Sequence, residues 1–324
     1  MKKKGSLLII MLWILALLVL FALSLGQRTA LSLRIAKNQR DRLIAASITR
    51  SGVQYVIAIL NNDLLDAETA VFDSLKSCGI NLKGRLVQEV FTKTWDEKKA
   101  SFKIGDILGS EVFVYGPTDE ERRININGYA GIDKKVFIAE LFKLKNVDNA
   151  QDLAAWVSDW VNKNKQLSVP EELQGIFEYY YVLKNITSQE ARLKARSAYL
   201  NIQDSITLFG EKLNINTASG DALRILSRVV ASANGKNAQK ADALAGDLLN
   251  ARNQRLFINL DALNNAYLGS DNEEKEIFMI LRNYLCVASN FFRIKSLADV
   301  AGLKRSVTVI YDRKQKSIVY RYEI

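Results

Sequence analysis

The chain has 324 residues, with 45 Lys and Arg, 35 Asp and Glu, two Cys, two Pro and no His, for a formal net charge of +10. Its 48% apolar and 25% charged fractions are those of a folded protein of one large or two ordinary domains, not of a disordered chain. Without histidine there is no Ser-His or Cys-His nucleophile pair, no histidine general base and no His-containing zinc site, and two cysteines cannot form a four-cysteine zinc site or hold an iron–sulfur cluster.

The positive charge is concentrated at one end. Lys2, Lys3 and Lys4 precede an apolar run; Arg28, Arg34, Lys37, Arg40, Arg42 and Arg50 follow it, and the remainder is nearly neutral. That is a membrane pattern more than a nucleic-acid one. Leu7 to Leu25 has Ser24 as its only polar side chain, and as a helix it spans about 28 Å, close to the hydrocarbon thickness of a bilayer. The leading lysines put the amino terminus on the cytoplasmic side. Three readings compete: an ordinary signal anchor, a secretory signal cleaved at Ala22-Leu23-Ser24, and a prepilin-type leader cut after Gly5 so that Ser6 opens the mature chain.

Between Gln27 and Leu60 there is no proline and one glycine, Gly52, and apolar residues such as Leu31, Ile35, Val53, Val56 and Leu60 recur at mostly helical intervals. One helix from Ser6 to about Asn61, roughly 80 Å long, is expected, the alternative being a break near Gly26. A short helix near Ala67–Lys76 and weak strand signals follow. Glu111–Tyr115 reads as a strand ending at the Gly116-Pro117 turn, and Asp119, Glu120 and Glu121 come next on a loop. Three adjacent acids are not a recognisable calcium loop, so a solvated turn is expected there, with calcium the alternative.

From about Ile132 to Ala288 the pattern is helical, with helices expected over Val136–Lys145, Asp152–Lys163, Glu171–Leu183, Gln189–Leu200, Ala222–Ala233, Lys240–Asn253 and Glu273–Val287. Trp156 and Trp160 share one helix face, either as core residues or as anchors of an interface. Tyr179, Tyr180 and Tyr181 cannot all face inward, and Tyr180 joins the two tryptophans as an interface candidate. Phe291–Val300, Ser306–Asp312 and Ser317–Glu323 read as strands, the last two joined through Asp312–Lys316. The fold class is therefore α+β: a long N-terminal transmembrane and amphipathic helix, and a small antiparallel sheet interrupted by a large all-α insertion. The simplest sheet pairs Glu111–Tyr115 with the C-terminal meander.

One motif recurs. Arg123-Ile124-Asn125-Ile126-Asn127 is echoed by Lys212-Leu213-Asn214-Ile215-Asn216, followed by Thr217-Ala218-Ser219. Alternation points the aliphatic residues inward and leaves the asparagines to bond loop backbone, and Thr217 or Ser219 can cap the helix that follows. The second copy resembles the entry to helix-hairpin-helix DNA-binding modules. The glycine hairpin and cationic surface that such modules need are missing.

The KKKG leader with its apolar helix, the stretch from Arg34 to Leu60, DEERRININ, the run Tyr179-Tyr180-Tyr181 with Lys184-Asn185, LFGEKLNINTAS, SNFFRIKS and the closing hairpin occur in order over nearly the whole chain. Together they resemble the minor pseudopilin K family of the type II secretion system. The first echo departs from that family at Gly128-Tyr129, where a Thr-Ala continuation is usual. The resemblance implies a leader at residues 1–5, a transmembrane half-helix at 6–25, a pseudopilin domain at 26–127 and 289–324, and a helical insertion at 128–288. It implies a non-enzymatic subunit at the pseudopilus tip that helps to initiate assembly and outer-membrane export. The subunit would be single-pass in a bacterial inner membrane, with its bulk periplasmic. Implied partners are minor pseudopilins of the I, J and H kinds, the major pseudopilin, the prepilin peptidase and the inner-membrane assembly platform, with no nucleic acid and no required cofactor. It further implies cleavage between Gly5 and Ser6 and methylation of the new terminus at Ser6. Ile10 then takes the fifth mature position, where most pseudopilins carry glutamate. Some relatives bind calcium, for which Asp119, Glu120 and Glu121 are the candidates. Cys78 and Cys286 would both lie where disulfides persist, either bridged or as separate thiols. A minor pilin of a type IV pilus-like system and an enzyme on a membrane anchor remain the rival classes.

Overall fold

A computed structural model of the protein describes residues 4–63, 92–95, 100–107, 113–164, 166–254, 256–261, 263 and 271–324. The expected helix at Ala67–Lys76 lies outside these residues.

Helix α1 runs unbroken for 60 residues, Lys4–Asp63, about 90 Å, passing through Gly26 without a break. Its last third packs on an antiparallel sheet built from β1 (Thr92–Trp95), β2 (Ala100–Ile107), β3 (Phe113–Tyr115), β4 (Thr118–Asp119), β9 (Phe291–Val300), β10 (Leu303–Asp312) and β11 (Ser317–Glu323). The strand order is β1-β2-β9-β10-β11, with β3 paired to β2 and β4 to β9. The strand at Phe113–Tyr115 thus reaches the meander through β2 and does not pair with it directly, because β2 takes the free side of β9. Strand alternation sends Phe292, Ile294, Val307, Val309 and Tyr311 to the helix side, where they meet Val53, Val56 and Leu60. Tyr311 Oη donates to Asn61 Oδ1 at 2.8 Å.

Gly52 lets the helix approach closely. A Cβ there would stand 2.5 Å from Ser296 Oγ and 3.6 Å from Ile104 Cδ1. Gly52→Leu is expected to lower stability by about 3 kcal/mol through overpacking, read as a reduced urea midpoint. An unchanged midpoint would mean that the helix is not seated on β9.

Between β4 and β9 the chain forms the helical unit: β5 (Ile124–Asn125), α2 (Lys134–Leu144), α3 (Ala150–Asn164), α4 (Glu172–Leu183), α5 (Ser188–Ile202), β6 (Ile206–Thr207), β7 (Leu213–Asn214), α6 (Gly220–Ala233), α7 (Ala238–Gln254), α8 (Asn272–Leu281) and β8 (Leu285–Cys286). One hydrophobic cluster extends from Ile124 to Leu285, so Ile124 and Ile126, ahead of the expected boundary at residue 128, belong to it. The helix expected to reach Val287 stops at Leu281. Arg282–Tyr284 form a 3₁₀ turn, and Leu285–Cys286 pair with β7 instead.

The sequence echo is a structural repeat. β5 pairs in parallel with β6 and β7 in parallel with β8, each pair enclosing a set of helices. Ile124, Ile126, Leu213 and Ile215 are fully buried. Asn125 Oδ1 accepts from the Asn127 amide and Asn214 Oδ1 from the Asn216 amide, both at 3.0 Å. Asn127 then clamps the backbone of Leu167, accepting from its N–H at 2.9 Å, and Asn216 clamps Phe257 in the same way at 2.9 Å. Ser219 caps α6, whereas the Thr217 hydroxyl turns to Asp119.

Candidate functional site

Two features stand out as candidate functional sites: the exposed length of α1, and the junction that fixes the helical unit to the sheet. Along α1 every residue from Leu8 to Arg40 is exposed, including Ile10 at 56% and Trp13 at 73%. It is the one described helix long and apolar enough to cross a membrane. Gly5 and Ser6 stand in its first turns.

The junction is built around the three acids expected to form a solvated turn. They are buried instead: Asp119, Glu120 and Glu121 are at most 7% exposed. Pairing of β4 with β9 through Thr118–Arg293 and Asp119–Phe292 draws them under the helical unit. Asp119 accepts from the Glu121 amide at 2.8 Å, from Ser289 Oγ at 2.7 Å, from Asn214 Nδ2 at 3.2 Å and from Thr217 Oγ1. Burial pushes its carboxyl above the ordinary range, against donors that favour the charged form. Glu120 Oε1 lies 2.6 Å from Arg293 Nε and 3.7 Å from Arg123 Nη1, while Thr207 Oγ1 donates to Oε2 at 2.6 Å. The short Arg293 contact is an ion pair. Burial alone would raise the Glu120 carboxyl, but Arg293 and Arg123 outweigh it and hold the group below its ordinary range. Glu121 accepts from the Asn290 amide at 3.1 Å, and its Oε2 lies 3.9 Å from Cys286 Sγ. Gly210, at φ +86, is needed beside it, because a Cβ would collide with the Glu121 side chain.

These acids do not fit a calcium site. Asp119 and Glu120 spend their oxygens on hydroxyl, amide and guanidinium donors, and no group of three or more His, Cys, Asp or Glu side chains among the described residues is arranged to hold a metal ion.

The remaining candidates separate. Tyr180, expected at an interface, is buried with Tyr181, while Tyr179 is 52% exposed. Trp156 is half-buried against the core and touches the rings of both Tyr179 and Tyr180, whereas Trp160 is 38% exposed. Apolar residues also left outside include Tyr179, Val182 and Leu183 on α4, Leu193 and Leu200 on α5, and Ile318, Val319 and Tyr322 on the edge strand β11. Cys78 lies outside the described residues, so the proposed bridge to Cys286 does too. Sequence reasoning missed Arg293, Thr207 and Ser289 as partners of the acids. Arg293 and Ser289 sat inside the quoted SNFFRIKS motif, but nothing in that motif pointed to residues so far back in the chain.

No protein-family model and no curated protein matches this chain. Among solved structures it is similar to a chain of the GspK-GspI-GspJ complex from the type 2 secretion system of enterotoxigenic Escherichia coli. The TM-score is 0.55 at 12% sequence identity, and the match covers 89% of this chain and 99% of that one. The fold is that of a GspK-like minor pseudopilin. The likeness takes in both the α1-and-sheet part and the helical unit, since a match of that extent cannot be made by either alone. At this identity it is a likeness of GspK-like architecture and carries no individual side chain across.

Proposed function

We propose that this chain is a non-enzymatic minor pseudopilin at the tip of a type II secretion pseudopilus, where it helps to initiate assembly for protein export across the outer membrane. The observation that carries the reading is one exposed apolar helix continuous with a sheet that is interrupted by a large helical unit, in a GspK-like fold. Its partners are minor pseudopilins of the I and J kinds, with the H kind and the major pseudopilin below, and the prepilin peptidase and assembly platform act on it in the inner membrane. The similar chain was solved in complex with GspI and GspJ, which supports the first two. The chain is single-pass, with a cytoplasmic amino terminus and a periplasmic bulk. The echoed asparagines support a structural role, because their side chains bond the backbone inside the helical unit.

Maturation removes the leader after Gly5 and leaves a methylated Ser6. Ile10 is then the fifth residue and adds no carboxylate to the apolar helix. A lone carboxylate at that depth costs about 3 kcal/mol unless it is paired, and a tip subunit has no subunit ahead to pair it. Mass spectrometry of protein from the native membrane is expected to give a chain that begins at methylated Ser6. Ile10→Glu is expected to impair secretion. A mature chain beginning at Met1 or Leu25, or unchanged secretion by Ile10→Glu, would count against this reading.

A further inference from the structure

Outside the junction, one cavity joins two cations that the assembly reading leaves without a task. It has a volume of about 390 Å³ and is walled by the turn Asn216–Gly220, by Arg122, and by Arg252 and Asn253 near the end of α7. Arg252 is held in place: its Nη1 donates to the carbonyl oxygens of Ala218 at 2.6 Å and Ile215 at 3.2 Å. The backbone of Arg122 is tied to the same turn, its carbonyl oxygen accepting from the Ser219 amide at 3.2 Å. No carboxylate lines the cavity, and neither arginine has an acidic partner among the described residues. Burial first, and then the neighbouring Arg122 charge, weaken the hold of Arg252 on its proton.

We infer that this cavity is a binding site for a phosphate-class dianion held between Arg122 and Arg252. Two guanidinium charges with no acidic partner among the described residues match a dianion. A guanidinium presents its N–H groups in a planar fork suited to phosphate oxygens. The Thr217 hydroxyl is committed to Asp119, so the arginines supply the charge and Asn253 a further polar wall. A bound dianion would also remove the repulsion between the two cations, so binding stabilises the turn that enters α6.

The test is calorimetric titration of the full chain in detergent micelles, at fixed ionic strength, with inorganic phosphate and separately with glycerol 3-phosphate. Saturable one-to-one binding of either probe is expected. Tighter binding of inorganic phosphate would assign the free ion, and tighter binding of the ester a phosphomonoester group. Arg122→Gln, whose side chain has no hydrogen-bond or ion-pair role in the fold among the described residues, is expected to weaken binding at least tenfold with an unchanged circular dichroism spectrum. Arg252→Gln should weaken it as much, and because Arg252 also holds the turn, Arg122→Gln decides. Absence of saturable binding by both probes, unchanged affinity in Arg122→Gln, or equal displacement by chloride would overturn the assignment.

Discussion

Glu120→Gln is expected to destabilise the protein by about 3–5 kcal/mol, the usual cost of removing one partner from a buried ion pair. Glu120 is fully buried, and its carboxylate is the counter-charge for Arg123, itself 3% exposed, and for Arg293. The amide keeps the shape and the Thr207 hydroxyl as a neighbour but removes the carboxylate that faces both guanidinium groups. The pH dependence has a definite sign. The Glu120 carboxyl is held below its ordinary range in the folded state, so its contribution is present above the unfolded carboxyl pKa and is lost as pH falls through the folded one. Asp119 acts in the opposite sense: its raised carboxyl contributes below the unfolded pKa, and that contribution fades as pH rises through the folded value. Urea denaturation followed by circular dichroism from pH 7 to pH 3 is therefore expected to show an acid-side loss of stability in the parent protein and a flatter one in Glu120→Gln. A variant within about 1 kcal/mol of the parent at neutral pH would mean that the junction is not held by this ion pair.

Asn216→Ala is expected to cost about 3 kcal/mol, and Asn127→Ala, at the equivalent place in the first repeat, about 1 kcal/mol. Both amides clamp one backbone residue, but they differ in burial and in the number of bonds made. Asn216 is 6% exposed, accepts from the Phe257 N–H at 2.9 Å, and donates to the carbonyl oxygens of Phe257 at 2.9 Å and Val287 at 3.2 Å. Alanine leaves those groups buried and unpaired. Asn127 is half-buried, and its donor bond to the Leu167 carbonyl is long, at 3.4 Å. Water can replace part of what is lost there. The measurement is the difference in urea midpoints at equal slope. Equal costs at the two positions would show that the repeat does not use its asparagines as burial dictates.

Much of the architecture was legible because its signals are local. The apolar run to Leu25, the helical spacing to Leu60 and the single Gly52 give α1 directly, and the short, β-branched and aromatic character of Phe291–Val300 gives β9 with its bounds unchanged. The inward aliphatics and clamping asparagines of the echo followed from alternation in a five-residue motif. What failed was set by distant contacts. Asp119-Glu120-Glu121 has the composition of a solvated loop, and only Arg293, Thr207 and Ser289, brought in from the far side of the helical unit, make its burial tolerable. Leu285–Cys286 continues a helical period and was read as helix, yet it pairs with β7 because the repeat closes there. The run of three tyrosines fixed that one must face out but not which one. The answer, Tyr179, depends on how α4 lies against Trp156. The pairing of β2 with β9 could not be read either, since the strand signals before Glu111 were too weak to compete for that edge.

The central claim is that this chain joins other minor pseudopilins as a tip subunit. The most direct measurement is co-purification of the portion from residue 27 onward with the I-kind and J-kind pseudopilins of the same cell, followed by size-exclusion chromatography with light scattering. The account predicts one stable complex containing a single copy of each. Elution of the three as separate species, at concentrations where each is folded, would contradict it.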